Sequence, residues 1–261
     1  MADVIRIGTR GSKLALWQAH YVQAQLEKIG HSATIQIIKT QGDRVQDLSF
    51  DKLEGKGFFT KEIEESLLAE AIDLAVHSMK DLPTTAPPGL LTAAVSYREN
   101  PADWLLIRSD RVEKGALVHL PEGAIVGTSS ARRKAQLLGL RKDIQLADIR
   151  GNVPTRIEKL RRGDFDAIML AGAGVTRLGL EVSDLQLVKF SPKEFIPAPA
   201  QGVLAYQVRA ADKKLRRILQ NIHHQAVANC TNVERKVLRL LAGGCQMPLG
   251  VYCEKDPIGN Y

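Results

Sequence analysis

Apolar and polar positions follow two periods along this chain, one typical of strands and one typical of helices. The stretch Ile5–Gly8 predicts a short strand, and apolar positions then recur at helical spacing between residues 13 and 28. The apolar positions of this helix are Leu14, Trp17, Tyr21, Val22 and Leu26. Ser12 precedes the helix and is a typical N-cap, so the chain opens with a strand, a turn and a helix.

The same unit recurs in the second half of the chain. A strand predicted at 125–127 leads through a Thr-Ser-Ser turn into a helix, as the first strand leads through its own turn into the first helix. Strands are also predicted at 72–77 and at 166–170, and each runs into a loop. The repetition predicts an α/β fold with two domains of similar build, whose anion-binding ends face one cleft.

Two segments have the composition of crossings between domains. The charged segment 97–103 and the proline-rich segment 195–199 are expected to carry the chain across and back, and together they predict a hinge of two strands. The expected domains are residues 1–97 plus 200–219, residues 98–199, and a small, shortened C-terminal α+β domain over 220–261.

The C-terminal part contains an amphipathic helix that leads to a cysteine. Between residues 230 and 241 the apolar positions Cys230, Val233, Val237, Leu240 and Leu241 recur at helical spacing, which leaves Glu234 and Arg235 on the opposite face. Two glycines and a proline follow, so Cys245 is expected on a short loop just past the helix end, before a strand at 251–254. On this local pattern alone, Cys245 is either a small buried apolar residue or an attachment point.

Composition excludes several classes of protein. The 261 residues are 44% hydrophobic and 25% charged, as in ordinary globular proteins. Neither a leader pattern nor a long apolar run is present, so we expect a cytoplasmic protein that does not enter a membrane. Three cysteines without C-x-x-C spacing and six scattered histidines predict neither a disulfide framework nor a metal site.

The basic residues predict an anionic ligand. The formal net charge is +7, but aromatic residues are only 5%, and the arginines mark loops instead of one helix face, which argues against nucleic acid. Six arginines fall at strand ends or helix starts: Arg10, Arg132, Arg133, Arg150, Arg156 and Arg177. Sheets of this kind bind ligands at these ends, and guanidinium groups bind carboxylate or phosphate in a bidentate manner.

Two further stretches have open interpretations. Asp81 follows the strand predicted at 72–77 and is either a ligand-facing carboxylate at the end of that strand or a simple turn former before Pro83. The polar stretch 41–61 is either disordered or a lid over a site, and the apolar pair Phe58 and Phe59 at its end favours the lid.

Seven ordered motifs make the chain resemble the hydroxymethylbilane synthase family, also called the porphobilinogen deaminase family. They are Thr9–Ala19, Ala75–Pro83, Gly127–Arg133, Arg150–Arg156, Ala173–Leu180, Pro199–Ala205 and Gly243–Gly250. Together they span nearly the whole chain, which makes a chance similarity very improbable. The resemblance implies two domains like those of type II periplasmic binding proteins, in a monomer.

The resemblance also implies an activity and its residues. The family joins four porphobilinogen molecules head to tail on a covalent dipyrromethane primer, and it releases a linear tetrapyrrole and ammonia. By motif position, Cys245 would carry the primer, and Asp81 would stabilise the cation formed as ammonia leaves. The primer's carboxylates would be held by Lys80, Ser130, Arg132, Arg133 and Arg156. The incoming ring or growing polypyrrole would be held by Arg10, Ser12, Arg150 and Arg177. Lys56 and Phe59 match the family's lid loop.

A rival class is a two-domain anion receptor without catalysis. Such a receptor would explain the arginines and the hinge, but it leaves Asp81 and Cys245 without a role. The mass of the purified protein distinguishes the two classes, because only the synthase carries a covalent dipyrrole.

Overall fold

The chain forms two compact units, each built on its own sheet. The computed structural model describes residues 4–40, 60–241 and 247–261. Described residues up to 99, together with 200–241 and 253–261, form the first unit, and residues 100–199 with 247–252 form the second. Residues 220–241 group with the first unit, and a separate C-terminal domain over 220–261 stays a prediction.

The elements alternate between strands and helices for most of the chain. The first part of unit 1 contains β1 (Ile5–Thr9), α1 (Lys13–Lys28), β2 (Ala33–Ile37), α2 (Lys61–Leu68), β3 (Leu74–Ser78) and β4 (Leu90–Val95). Unit 2 contains β5 (Asp103–Arg108), β6 (Ile125–Gly127), α3 (Ala131–Leu140), β7 (Gln145–Ala147), α4 (Val153–Arg162), β8 (Ala167–Ala171), α5 (Gly172–Arg177) and β9 (Leu185–Lys189). The chain then returns to unit 1 with β10 (Leu204–Arg209), α6 (Lys213–Gln220) and α7 (Gln225–Leu240).

The two sheets have equivalent topologies. Their strand orders are β2-β1-β3-β10-β4 and β7-β6-β8-β5-β9. In each, three strands joined by helices run parallel, and the fourth strand is inserted antiparallel next to the third. The inserted strand is the last strand of unit 1 but the first strand of unit 2. The prediction of two similar α/β domains is confirmed.

Helix α1 shows how sequence and packing combine. The side chain of Ser12 caps its first turn by accepting from the amide of Ala15 at 3.3 Å, as the sequence predicts. Its buried apolar face, with Val22 and Leu26 fully enclosed, packs on the sheet against Tyr206 and other strand residues. Burial of this face supplies the main stabilisation of the helix, because isolated helices of this length are marginal.

The structure corrects three local predictions. Helix α7 buries Glu234 completely, whereas Val233 and Leu240 are exposed, so the predicted apolar face is wrong. The predicted strand around 251–254 does not form, because the amide of Cys253 donates to the Glu234 carboxylate instead of to a strand. The predicted loop at 171–174 is the start of α5. Gly172 makes this turn possible, since a Cβ there would lie 2.4 Å from the Trp104 indole nitrogen.

Candidate active site

In unit 1, the predicted site residues lie at one edge of the sheet. Strands β1 and β3 are parallel neighbours, with Ile7 opposite Leu74, so their carboxyl ends reach the same edge. Arg10 and Ser12 follow β1 directly, and Lys80 and Asp81 follow β3. The fold therefore brings these four residues to the edge at which open α/β sheets bind ligands.

Asp81 is the last residue of a single 3-10 turn, Met79–Asp81, at the end of β3. The amide of Met79 donates to the carbonyl of Val203 at 2.9 Å, which fixes the start of the turn on the sheet. The side chain of Asp81 is exposed, and no hydrogen bond or ion pair joins its carboxylate to any part of the chain that the structure describes. The carboxylate is thus available to a ligand instead of serving the turn.

Lys80 and Ser12 both have structural partners. The ammonium of Lys80 donates to the side-chain oxygen of Gln201 at 3.3 Å. The hydroxyl of Ser12 is the N-cap of α1, yet its own O–H proton can still be donated to an anion. Arg10, which lies just before this cap, is half-buried. The start of α1 thus combines backbone amides, a hydroxyl and a guanidinium, a donor set suited to a carboxylate.

A buried chain of polar side chains runs behind this edge, and no sequence pattern predicted it. His77 contacts the side-chain oxygen of Gln207 at 3.1 Å, and the amide of Gln207 donates to Glu64 at 2.9 Å. Burial lowers the pKa of His77 to about 4, and the charge of Arg10 also lowers it. His77 is therefore neutral near pH 7 and supports the edge through a hydrogen bond instead of a charge.

In unit 2, the equivalent edge carries the turns after β6, β7 and β8. Ser130 caps α3 by accepting from the amide of Arg133 at 3.4 Å, and Asn152 caps α4 in the same way through Thr155. Ser130, Arg132 and Arg133 follow β6, Arg150 and Arg156 follow β7, and Arg177 follows β8. All six predicted residues of this unit therefore lie near the carboxyl ends of three parallel neighbouring strands.

Arg132 and Arg133 share a buried acidic partner that sequence reasoning missed. Asp103, the first residue of β5, is fully buried and accepts from Arg132 at 2.6 Å and from Arg133 at 2.7 Å. Although burial opposes ionisation, the two guanidinium groups hold the pKa of Asp103 far below its usual range. These arginines therefore have a structural role in unit 2, whatever else they bind.

Arg156 has a different environment. Its Nε donates to the carbonyl of Gly151 at 2.7 Å, and none of the described carboxylates pairs with it. Burial, followed by the charges of Arg133 and Arg150, lowers the pKa of Arg156 to about 10. The positive charge is uncompensated, and a multiply charged carboxylate ligand would compensate it. The donor set at this edge thus fits the acetate and propionate arms of a dipyrromethane group.

The remaining predicted site residues are Arg177, Cys245, Lys56 and Phe59. Arg177, predicted in a loop, is the last residue of α5 and is 7% exposed. Cys245, Lys56 and Phe59 lie outside the described residues. Helix α7 ends at Leu240, before the two glycines that precede Cys245.

The described residues contain neither a cluster of metal-ligating side chains nor a helix suited to a membrane. Within residues 4–40, 60–241 and 247–261, no three His, Cys, Asp or Glu side chains cluster as a metal site would require. No helix in these ranges combines the length and the apolar character that crossing a bilayer demands.

Comparison of the chain with known proteins agrees with this donor set. A family model described as porphobilinogen deaminase, dipyromethane cofactor binding domain, matches residues 5–217. The porphobilinogen deaminase of Syntrophomonas wolfei is 47% identical over 255 residues, which cover 96% of this chain and 80% of that protein. That of Gloeobacter violaceus is 44% identical over 265 residues, covering 100% of this chain and 79% of the relative.

Among solved structures, the fold is similar to that of a probable amino-acid ABC transporter extracellular-binding protein from Bacillus subtilis. The TM-score is 0.50 at 14% identity, with 92% of this chain and 97% of that chain covered. This similarity concerns the fold alone and agrees with two type II periplasmic-binding-protein-like units. The family model and the relatives decide the family: the chain belongs to the porphobilinogen deaminases.

Proposed function

We propose that Asp81 is the catalytic residue of this porphobilinogen deaminase and that Cys245 carries its dipyrromethane cofactor. The enzyme is a transferase that joins four porphobilinogen molecules head to tail and releases hydroxymethylbilane and ammonia. The observation that carries the proposal is the Asp81 carboxylate, which is exposed at the end of β3 and has no partner among the described residues. The alternative, a receptor without catalysis, has less support. The enzymes of the family are 44–47% identical to this chain, whereas the binding protein is only 14% identical.

The proposed role of Asp81 follows from where charge develops. Loss of ammonia from porphobilinogen leaves a positive charge that is shared with the pyrrole nitrogen. A fixed carboxylate that accepts the pyrrole N–H stabilises that charge more than it stabilises the neutral substrate, and this difference lowers the barrier. When bound, the dipyrromethane supplies the pyrrole carbon onto which the polymer is extended. Asp81 then directs the cationic ring by hydrogen bonding.

The proposed role of the basic residues is to hold acidic arms. We assign Lys80, Ser130, Arg132, Arg133 and Arg156 to the cofactor. We assign Arg10, Ser12, Arg150 and Arg177 to the incoming ring or the growing polypyrrole. The uncompensated charge of Arg156 supports this division, because that residue gains most from a bound carboxylate. Lys56 and Phe59 remain proposed lid residues.

We also propose that the enzyme acts as a monomer in the cytoplasm. Light scattering tests the oligomeric state, and cell fractionation tests the location.

The covalent cofactor is tested by the intact mass of the purified protein. We expect a mass above 28.7 kDa by one dipyrrole unit. The excess should disappear in Cys245→Ser. It should persist in the control Cys230→Ser, which removes a partly buried thiol within α7. An active preparation of unmodified mass would refute the cofactor assignment.

The role of Asp81 is tested by Asp81→Asn. The neutral amide cannot stabilise a cation to the same extent, so we expect a folded, cofactor-loaded protein whose turnover falls by about 10²–10⁴-fold. Asp110→Asn, which removes an exposed carboxylate paired with Arg108, is the control and should keep normal turnover. Normal turnover of Asp81→Asn would rule out the assigned role.

A further inference from the structure

We propose that Arg235 is a positioning residue for catalysis, which holds the turn that presents Asp81. The inference rests on the catalytic role of Asp81 proposed above. From sequence alone Arg235 belongs to the solvent face of its helix, and no family motif contains it. The structure instead places its guanidinium against the backbone of the Asp81 turn.

Three hydrogen bonds join Arg235 to this turn. One terminal nitrogen donates to the carbonyls of Met79 and Leu82, each at 3.1 Å. The other donates to the carbonyl of Pro83 at 2.6 Å. The three carbonyls lie on both sides of Asp81 in the sequence, so one rigid planar group fixes the entry and the exit of the turn. Hydrogen bonds from a charged donor are about twice as strong as those between neutral groups.

The other contacts of the turn are the burial of Met79 and Leu82 in an apolar cluster, the bond from Lys80 to Gln201 and two backbone hydrogen bonds. Apart from the amide of Met79, which donates to Val203, the turn closes through the amide of Leu82 and the carbonyl of Met79 at 3.3 Å. Pro83 has no N–H to donate. Residues 82–84 border a cavity of about 90 Å³ that Glu64, Gln207 and Arg235 also line. Packing is therefore incomplete on the side of Leu82 and Pro83, where the guanidinium of Arg235 supplies hydrogen bonds instead.

Hydrogen bonds to the residue before Arg235 hold helix α7 in place. The neighbouring Glu234 is fully buried, and one carboxylate oxygen accepts from Arg98 and from the amide of Cys253, at 2.7 and 2.8 Å. The other oxygen accepts from the amide of Ala200 at 2.6 Å. These bonds hold α7 in place. They therefore also fix the position from which the Arg235 guanidinium contacts the turn.

This arrangement predicts an effect on turnover and not on substrate binding. A catalytic group displaced by about 1 Å can lose about 100-fold in rate. The groups proposed to hold the substrate's carboxylates lie elsewhere, so KM should change little. A residue with a merely structural role would lower the folded fraction and leave the turnover per loaded enzyme unchanged.

The test is a double-mutant cycle between Arg235→Gln and Asp81→Asn, measured as kcat per cofactor-loaded enzyme. With Asp81 present, we expect Arg235→Gln to reduce kcat per loaded enzyme by about 10–100-fold, with KM within about threefold of wild type. In the Asp81→Asn background, the same substitution should reduce kcat by less than about threefold, because the carboxylate through which it acts is gone. Arg239→Gln, which removes the same charge one turn later from an exposed position, is the matched control and should have normal kcat.

The outcomes separate this inference from the proposed function. Normal kcat of Arg235→Gln, or an equal reduction in both backgrounds, would overturn the positioning role while leaving a slow Asp81→Asn intact. Normal kcat of Asp81→Asn would refute the proposed function itself. If Arg235→Gln does not fold, Arg235→Lys takes its place: a single ammonium reaches fewer of the three carbonyls, so we expect reduced kcat per loaded enzyme, and wild-type kcat would overturn the inference.

Discussion

At the residue scale, the predicted site arginines of unit 2 differ in whether a carboxylate compensates their charge. Arg132 and Arg133 are ion-paired with the buried Asp103, whereas no described carboxylate pairs with Arg156. Removing a partner from a buried ion pair leaves a charge without compensation and destabilises a fold strongly. Removing a charge that has no partner costs little stability, although it removes a ligand contact.

We therefore predict opposite profiles for two matched substitutions. Arg156→Met should keep the free energy of unfolding within about 1 kcal/mol of wild type but reduce cofactor content and activity. Arg133→Met should lower the free energy of unfolding by about 3–5 kcal/mol, because Asp103 stays buried with one partner fewer. Urea unfolding together with intact mass measures both. Equal destabilisation by the two substitutions would contradict the distinction.

His77 is a second residue whose environment determines a measurable property. Because the amide of Gln207 donates to Glu64, its oxygen accepts, so neutral His77 donates from Nε2. Its pKa is lowered from 6.5 to about 4, so the unfolded chain binds a proton at a higher pH than the folded chain does. This contribution to stability is fully present above pH 6.5 and is lost as the pH falls towards 4.

We predict that wild type loses about 2 kcal/mol more than His77→Gln when the pH falls from 7 to 4.5. Glutamine can still donate to Gln207 but does not titrate. Urea unfolding across this range measures the difference, and carboxylates with lowered pKa values, such as Asp73 at about 2, cancel in the comparison. Parallel pH profiles for the two proteins would disprove the effect of His77.

At the element scale, helix α7 shows that a buried charge can override the apolar pattern. Its periodicity predicts a helix correctly, but the predicted face is wrong because Glu234 turns inward and Val233 outward. The carboxylate gains Arg98 and two backbone amides there, which together offset its desolvation. Hydrogen-bond donors from distant parts of unit 1 thus select the buried face.

We predict that Glu234→Gln lowers the free energy of unfolding by about 3 kcal/mol. The amide would place an NH2 group against a backbone N–H that now donates to an oxygen, and Arg98 would lose its counter-charge. Glu65→Gln is the control, since the pair between Lys61 and Glu65 is exposed and contributes at most about 1 kcal/mol. Chemical denaturation measures both, and similar losses would argue against a structural role for the buried pair.

At the scale of the whole molecule, the origin of the inserted strand decides whether a unit's sheet comes from one continuous stretch of chain. All five strands of unit 2 lie between residues 103 and 189, and both apolar clusters of that unit come from residues 102–195. The sheet of unit 1 instead needs β10, which pairs with both β3 and β4. Residues 1–99 alone lack this interior strand.

We predict that a fragment of residues 100–199 folds cooperatively and that a fragment of residues 1–99 does not. Joining 1–99 to 200–261 by a short Gly-Ser linker should restore folding, because the amide of Glu99 donates to the carbonyl of Gly202 at 2.9 Å and the ends are close. Circular dichroism during urea unfolding tests all three. A cooperative transition for 1–99 alone would contradict the assigned role of β10.

How much the sequence could predict depends on the range of each interaction. The helices after β1 and β6, the Ser12 cap, the positions of Arg10 and Asp81 after strand ends and that of Arg156 at a helix start are local features, and the structure has them where the sequence pattern predicts. Strand β5 and the roles of Asp103 and Arg235 were not predicted. Their partners are distant: Asp103 lies 30 positions from Arg133, and Arg235 lies 156 positions from Met79.

The sequence by itself determined the strand-turn-helix units that begin at β1 and β6, the Ser12 cap, and which family the motifs belong to, because periodicity, capping and motif chemistry depend on near neighbours. Only the tertiary structure decided that each sheet places an antiparallel strand beside its third parallel strand, that Glu234 and Asp103 are buried, and that Arg235 binds the Asp81 turn. These choices depend on hydrogen bonds and charge compensation between atoms far apart in the chain, which exist only after the chain has folded.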